Sequence, residues 1–311
     1  MMTLVRSRYV DAIPAPVIEP HAIVATARGR LFEAALALIS IDDGVLERVW
    51  PWDGEADVRY GFYRALEALE LAAVDVARAR DEAGTVPAPG ARRVGPATAA
   101  RWDLHARLMA IGAQDIDADP GGGEWTIRQT LAHIVNAQRA YGHFTAWWLA
   151  QRDVDPPPDA VADEVEVGFP DEPSEGEGTL SDIWTRLDQL IDYEASRYAA
   201  LDDGALAVPA RWSGAWVDVG FRLTRWTSHL REHTVQVDKT LVMLGWAPRE
   251  VDRLVGLILS AYGRLEAAVY GLPAAALDAP GSDGRTPAGI IDEVTARIAG
   301  AAPTVVAAAE A

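Results

Sequence analysis

Nearly the whole chain carries the three-to-four-residue apolar period of amphipathic helix, and this restricts the fold more than any other feature. In the run "RWTSHLREHTVQVDKTLVMLGW", Trp226, Leu230, His233, Val237 and Leu244 form one apolar stripe. "AIVATARGRLFEAALALIS" and "VRYGFYRALEALELAAVDVARARDEAG" repeat the pattern near the start. "ATAARWDLHARLMAIG", "IRQTLAHIVNAQRAYGHFTAWWLAQ" and "TLSDIWTRLDQLIDYEASRYAAL" repeat it in the middle. Strand alternation is confined to "AWVDVGFRL" at 215–223. The expected fold class is therefore all-α.

Breaks in the pattern divide the chain. "TVPAPGARRVGPAT" at 85–98 is rich in proline and glycine and reads as a linker. We expect an N-terminal helix pair and linker over 1–97, a four-helix bundle over 98–246, and a C-terminal helix pair over 247–311. That last pair is expected at roughly 249–269 and 287–300, followed by a fraying alanine-rich tail. Thr126 with Gln129 three residues later predicts a capping box at the start of the second middle helix. The last middle helix should stop near Gly245.

A faint internal echo joins the two ends. "DIDADPGGGEWTIRQTLAHIV" and "ALDAPGSDGRTPAGIIDEV" share an acidic–Pro–Gly turn, a threonine and an apolar helix. Setting Thr126 on Thr286 places Leu131 on Ile291 and His133 on Glu293. The terminal pairs are thus expected to form a second, degenerate bundle. The connection from Arg152 to Gly178 holds ten Asp/Glu against the single basic Arg152. It reads as a solvated loop, or as a mobile lid over one end of the bundle.

Composition removes several classes of function. With no cysteine, disulfides, iron–sulfur clusters, thiolate zinc sites and cysteine nucleophiles are excluded. A net charge of −18 argues against nucleic acid and against anionic lipid as partners. No apolar run reaches membrane-spanning length, and the first twenty residues lack a signal-peptide pattern, so a cytoplasmic protein is expected.

Chemistry must then come from the six histidines, carboxylates and bound groups. His229 and His233, at i and i+4, leave one side of a helix and can share a cation. His133 lies beside the apolar stripe of another middle helix. Inward-facing ligands from neighbouring helices of a bundle converge on one ion, and three neutral imidazoles leave a fourth position open. The competing reading has His229 solvated and His233 alone buried. His21, His105 and His143 read as structural.

These residues also carry a family resemblance. "EWTIRQTLAHIVNAQ", followed by "HLREHTVQVDKTL", resembles the DinB-like (DinB/YfiT) superfamily of metal-binding four-helix bundles, over about 98–246. The shared pattern is a Trp-Thr start, a histidine on the second helix and His-x3-His on the last. It implies His133, His229 and His233 as ligands of a divalent ion. Zinc is the expected ion, and nickel or iron are the other ions considered. Related families include mycothiol-dependent maleylpyruvate isomerase and bacillithiol S-transferases. Members of the isomerase type carry glutamate where this chain has His229, which counts against carrying that activity over.

Two chemistries stay open: activation of a metal-bound water, or of a substrate thiol supplied by a low-molecular-weight cosubstrate. The resemblance implies a thiol-dependent S-transferase or related enzyme acting on a small-molecule substrate. The alternatives are a non-catalytic metal- or ligand-binding module and a helical scaffold with a relic site. Asp192, Glu194 or Glu232 could orient one imidazole, and Gln138 and Gln236 are candidate polar neighbours. The sequence leaves the oligomeric state open, although bundles of this kind often pair as homodimers.

Overall fold

The computed structural model describes residues 8–50, 56–111 and 115–311. Part of the N-terminal stretch, part of the "VWPWDGEAD" turn and the end of the "LMAIG" helix lie outside the described residues. Among the described residues eight long helices carry the fold: α1 (Ala22–Ile39), α2 (Val58–Glu82), α3 (Pro89–Leu108), α4 (Ile127–Ala150), α5 (Leu180–Tyr198), α6 (Val219–Met243), α7 (Glu250–Ala267) and α8 (Pro287–Glu310). One antiparallel hairpin, β1 (Pro209–Trp212) and β2 (Ala215–Asp218), precedes α6. Its tight turn uses Ser213 and Gly214, both at positive φ, the arrangement that matches strand twist in two-residue hairpins.

The chain divides into two compact units. The first comprises Met1–Glu19, Pro87–Arg101 and Gly112–Gly245. In it α4 packs on α5 and α6, burying Ile127, Leu131 and Ile134 together with Leu187, Leu190, Leu223, Trp226 and Leu230. At the start of α4 the hydroxyl of Thr126 accepts from Gln129 N, and the Gln129 side chain accepts from Thr126 N. This closes the capping box expected from sequence. Thr179 and Asp182 do the same for α5. Gly245, at φ +76°, ends α6 with the left-handed residue that helix C-termini favour.

Three expectations need correcting. The 85–98 stretch is not simply a linker, because α3 begins within it at Pro89. Proline is tolerated at a first helical position because that N–H has no partner inside the helix anyway. Gly90 then lies so close to the end of α5 that an added Cβ would stand 2.1 Å from the Tyr198 carbonyl oxygen. The alanine-rich end is no fraying tail either: α8 runs to Glu310, passes Pro303, and buries Val305 and Ala309. The strand candidate at 215–223 is strand only to Asp218, whose carboxylate then caps α6 by accepting from Phe221 N.

The second unit comprises Pro20–Val86, Trp102–Ile111 and Trp246–Ala311. Here α8 packs on α1 and α2, and α7 on α2 and α1, so helices from both ends of the chain share one core. Leu31, Leu38, Phe62, Leu69, Ile258, Tyr262, Ile291 and Ile298 belong to it. Thr286 caps α8 as Thr126 caps α4, accepting from Gly289 N. Glu293, matched to His133 by the internal echo, pairs with Arg285 instead of facing imidazoles. Among the described residues, no helix is long and apolar enough to cross a membrane.

Candidate metal centre

His133 projects from the second turn of α4, and His229 and His233 from successive turns of α6. Because α4 and α6 pack together, the three rings meet. Their centroids lie 5.3 Å (133–229), 4.8 Å (133–233) and 4.2 Å (229–233) apart. One nitrogen from each falls within 4.8 Å of the other two. His229 is buried, whereas His133 and His233 are half-buried. This reverses the competing sequence reading, which had His229 solvated and His233 inside. The ring of Tyr141, 5.1 Å away, packs against His229.

Hydrogen bonds on the far nitrogens set the tautomers. His133 Nδ1 lies 3.0 Å from Glu172 Oε2. An ionised carboxylate only accepts, so Nδ1 carries the proton and Nε2 keeps its lone pair. His233 Nδ1 lies 2.7 Å from Gln236 Oε1, which fixes the same tautomer. Two Nε2 lone pairs are thus available, and His229 Nε2 stands 3.4 Å from His133 Nε2. Two imidazole nitrogens bound tetrahedrally to one zinc, each at about 2.0–2.1 Å, are separated by about 3.3–3.4 Å. The His133–His229 spacing equals that edge, all three nitrogens lie within 4.8 Å of one another, and an ion held tetrahedrally by three of them would have one further ligand position. The donor set therefore fits a divalent ion.

Charge behaves consistently with this. Burial, then the neighbouring His233 and His133, push the His229 imidazole down to about 3. Burial also lowers His233. Both are therefore neutral at physiological pH, the form that ligates metal.

None of the three carboxylates proposed from sequence to orient an imidazole does so. Asp192 accepts from Arg101 at 3.1 Å. Glu232 binds Arg225 through both oxygens. Glu194 is fully buried, accepts from Gln138 Nε2 at 3.0 Å, and burial raises its carboxyl well above the usual range. Its space exists because residue 142 is glycine; a Cβ there would meet Glu194 Oε1 at 1.9 Å. The orienting carboxylate is Glu172, delivered by the acidic connection. Sequence reasoning missed it because Glu172 opens a helix of only four residues, Glu172–Glu175, too short to show a period from which a facing side chain can be assigned.

That connection is anchored rather than simply solvated. Glu175 is wholly buried and accepts from Arg139 Nε at 2.7 Å. Arg186 donates to the Glu175 carbonyl, and Arg128 donates to the carbonyls of Gly176 and Gly178. Three arginines thus hold the segment that carries Glu172. Replacing Glu172 with glutamine is expected to weaken divalent-metal affinity about 10–100-fold, the range for partners that orient a ligating histidine. Competition against a metallochromic chelator measures it, and an unchanged affinity would show that Glu172 has no such role.

The other histidines serve structure. His21 caps α1, accepting from Ile23 N at 3.1 Å. His105 is buried, with its ring edge-on to Trp102. His143 is buried against Phe169, and burial followed by nearby Arg139 pushes it down to about 4.

A pH dependence of stability follows. Between pH 6.5 and about 4, an unfolded chain protonates positions 143 and 229 while the native state leaves them neutral, so stability falls as pH falls. Each contributes at most about 1.4 kcal/mol per pH unit. Glu194 acts oppositely, since its native pKa is raised and its contribution is lost as pH rises above about 4.5. Two histidines outweigh one carboxyl, so the metal-free protein should be most stable near pH 6.5. Urea unfolding from pH 4.5 to 8 in chelator checks this, and His143→Gln should flatten the acid side.

Residues 97–237 match the family model described as the DinB superfamily. The matched segment takes in α4 and His133 at one end and His229 with His233 at the other. This segment of the chain is DinB-like. The DinB match ends within α6 and includes neither α1 and α2 nor α7 and α8. No curated protein and no solved structure matches the chain. A DinB-type domain with a three-histidine cluster thus sits in a chain that carries a second helical unit.

Proposed function

We propose that the protein is a divalent-metal-dependent enzyme that joins the sulfur of a small thiol cosubstrate to an electrophilic small molecule. The observation that supports this reading best is the convergence of three imidazole nitrogens with a tetrahedral edge and an open fourth corner. A divalent ion there, zinc by donor set, would supply Lewis acidity that lowers the pKa of a thiol reaching the open position. The chain contains no cysteine, so the sulfur must come from the cosubstrate. In the transfer the sulfur loses its proton, a sulfur–carbon bond forms, and the leaving group departs with its bonding pair.

The protein's own groups have separable tasks. His133, His229 and His233 would hold the ion. Glu172 and Gln236 keep two of them in the ligating tautomer. Trp125, whose ring lies 5.2 Å from His133, and Tyr141 flank the cluster. A cytoplasmic location suits a reaction that needs a reduced thiol pool.

The test is metal analysis of tag-free protein, followed by turnover of a panel of low-molecular-weight thiols with electrophiles. Stoichiometric metal and thiol-dependent turnover, both lost in His133→Ala and His229→Ala, are expected. Metal without turnover would leave a binding module. Absence of metal even after divalent supplementation would end the proposal.

A further inference from the structure

The cationic side chain beside the cluster is Arg225, one helical turn before His229 and on the same side of α6. Its charge is among the influences that keep His229 neutral. A chain of ring contacts ties it to the site. The Arg225 guanidinium carbon lies 5.2 Å from the centre of Trp212, Trp212 lies 4.7 Å from Tyr141, and Tyr141 lies 5.1 Å from His229.

Arg225 already holds a carboxylate. Nη1 and Nη2 donate to the two oxygens of Glu232 at 2.9 and 2.8 Å, the two-pronged geometry that guanidinium groups offer to carboxylates. The two partners differ in how firmly they are held. The Glu232 side chain is 53% exposed, whereas that of Arg225 is 21% exposed and rests on Trp212. An ion pair with so exposed a partner contributes little to stability. Glu232 can therefore turn into solvent while the guanidinium stays where the aromatic ring holds it. In a chain of net charge −18, a retained cation next to the imidazole cluster is a local reversal of field that favours an anionic guest.

We propose that Arg225, together with Tyr141, is the anion-recognising subsite of the histidine centre, and that the small molecule taken there carries a carboxylate that replaces Glu232 on the guanidinium. The inference rests on the metal-site reading above and adds the charge class of the ligand. Arg225 is a specificity-determining residue in this account, and Glu232 is an internal occupant that the ligand displaces.

The experiment uses full-length protein loaded with cobalt(II), titrated with 3-mercaptopropionate and with its neutral counterpart 3-mercaptopropionamide. Binding is read from the charge-transfer absorption that sulfur ligation gives a cobalt site. The acid is expected to bind at least about tenfold more tightly than the amide, and Arg225→Gln to erase that preference. Glu232→Gln should act in the opposite direction, tightening the acid several-fold while leaving the amide unchanged. This second variant decides the matter if Arg225→Gln fails to fold. An acid-to-amide ratio unchanged in both variants would overturn the proposal. If neither thiol gives the charge-transfer band, the thiol chemistry fails by itself. Propionate against propionamide, read from the cobalt ligand-field bands, then decides the anion subsite by the same criterion. A protein that takes up no cobalt overturns both.

Discussion

Replacing His229 with alanine is expected to abolish stoichiometric divalent-metal binding and, with it, metal-dependent stabilisation. His229 is the buried member of the cluster, and its Nε2 forms the 3.4 Å edge with His133. A ligand at 100 times its dissociation constant stabilises a folded protein by about 2.7 kcal/mol. For a domain of this size that is a rise of about 5–10 °C in Tm. The wild type should show such a rise with added zinc, and His229→Ala should show none. The Tm of the variant in chelator should change much less, because the His229 Nδ1 has no partner among the described residues and its loss strands no hydrogen bond. Differential scanning calorimetry with and without zinc separates the two effects. A variant that retained the zinc-dependent rise would exclude His229 as a ligand.

The second large effect is expected at Glu175. Glu175 and Arg139 are 0% and 2% exposed and are joined at 2.7 Å. Removing one partner of a buried pair leaves the other charge uncompensated, at a cost of about 3–5 kcal/mol. Glu175→Ala should therefore lower the urea midpoint sharply and free the segment that carries Glu172. Limited proteolysis between Arg152 and Gly178 should accelerate, and metal affinity should fall toward that of the Glu172 variant. Replacing both partners with apolar residues, Arg139→Met with Glu175→Leu, should recover most of the stability, because the desolvation cost disappears together with the attraction. A Glu175→Ala protein as stable as wild type would show that the pair does not anchor the segment.

The features legible in the sequence were those written as short-range periodic patterns. The Thr126–Gln129 box and the stop at Gly245 are each set by residues a few positions apart, where local geometry alone decides. The shared side of His229 and His233 follows from the same helical period. Their order of burial did not, because it depends on what covers α6 from outside. Tyr141, on α4 and far from α6 in sequence, packs on His229 and closes that side.

Glu172 illustrates the larger gap. It lies 39 residues from His133 in a proline-interrupted acidic stretch, and only the tertiary anchors at Arg128, Arg139 and Arg186 fix its position. The carboxylates favoured from sequence, Asp192, Glu194 and Glu232, lie on helices where a face can be assigned, yet each is engaged elsewhere. The helix start at Pro89 was hidden because proline's preference for a first helical turn is indistinguishable, in sequence, from its preference for linkers. Docking against α5 decides between them there.

His133, His229 and His233 are proposed to hold one divalent ion through their Nε2 atoms. A crystal of tag-free, zinc-supplemented protein measured on both sides of the zinc absorption edge tests it most directly. The account predicts a single anomalous peak about 2.0–2.1 Å from all three Nε2 atoms, with Glu172 still on His133 Nδ1 and a fourth ligand position facing Tyr141 and Arg225. No peak between the three rings, or a peak bound by other residues, would contradict it.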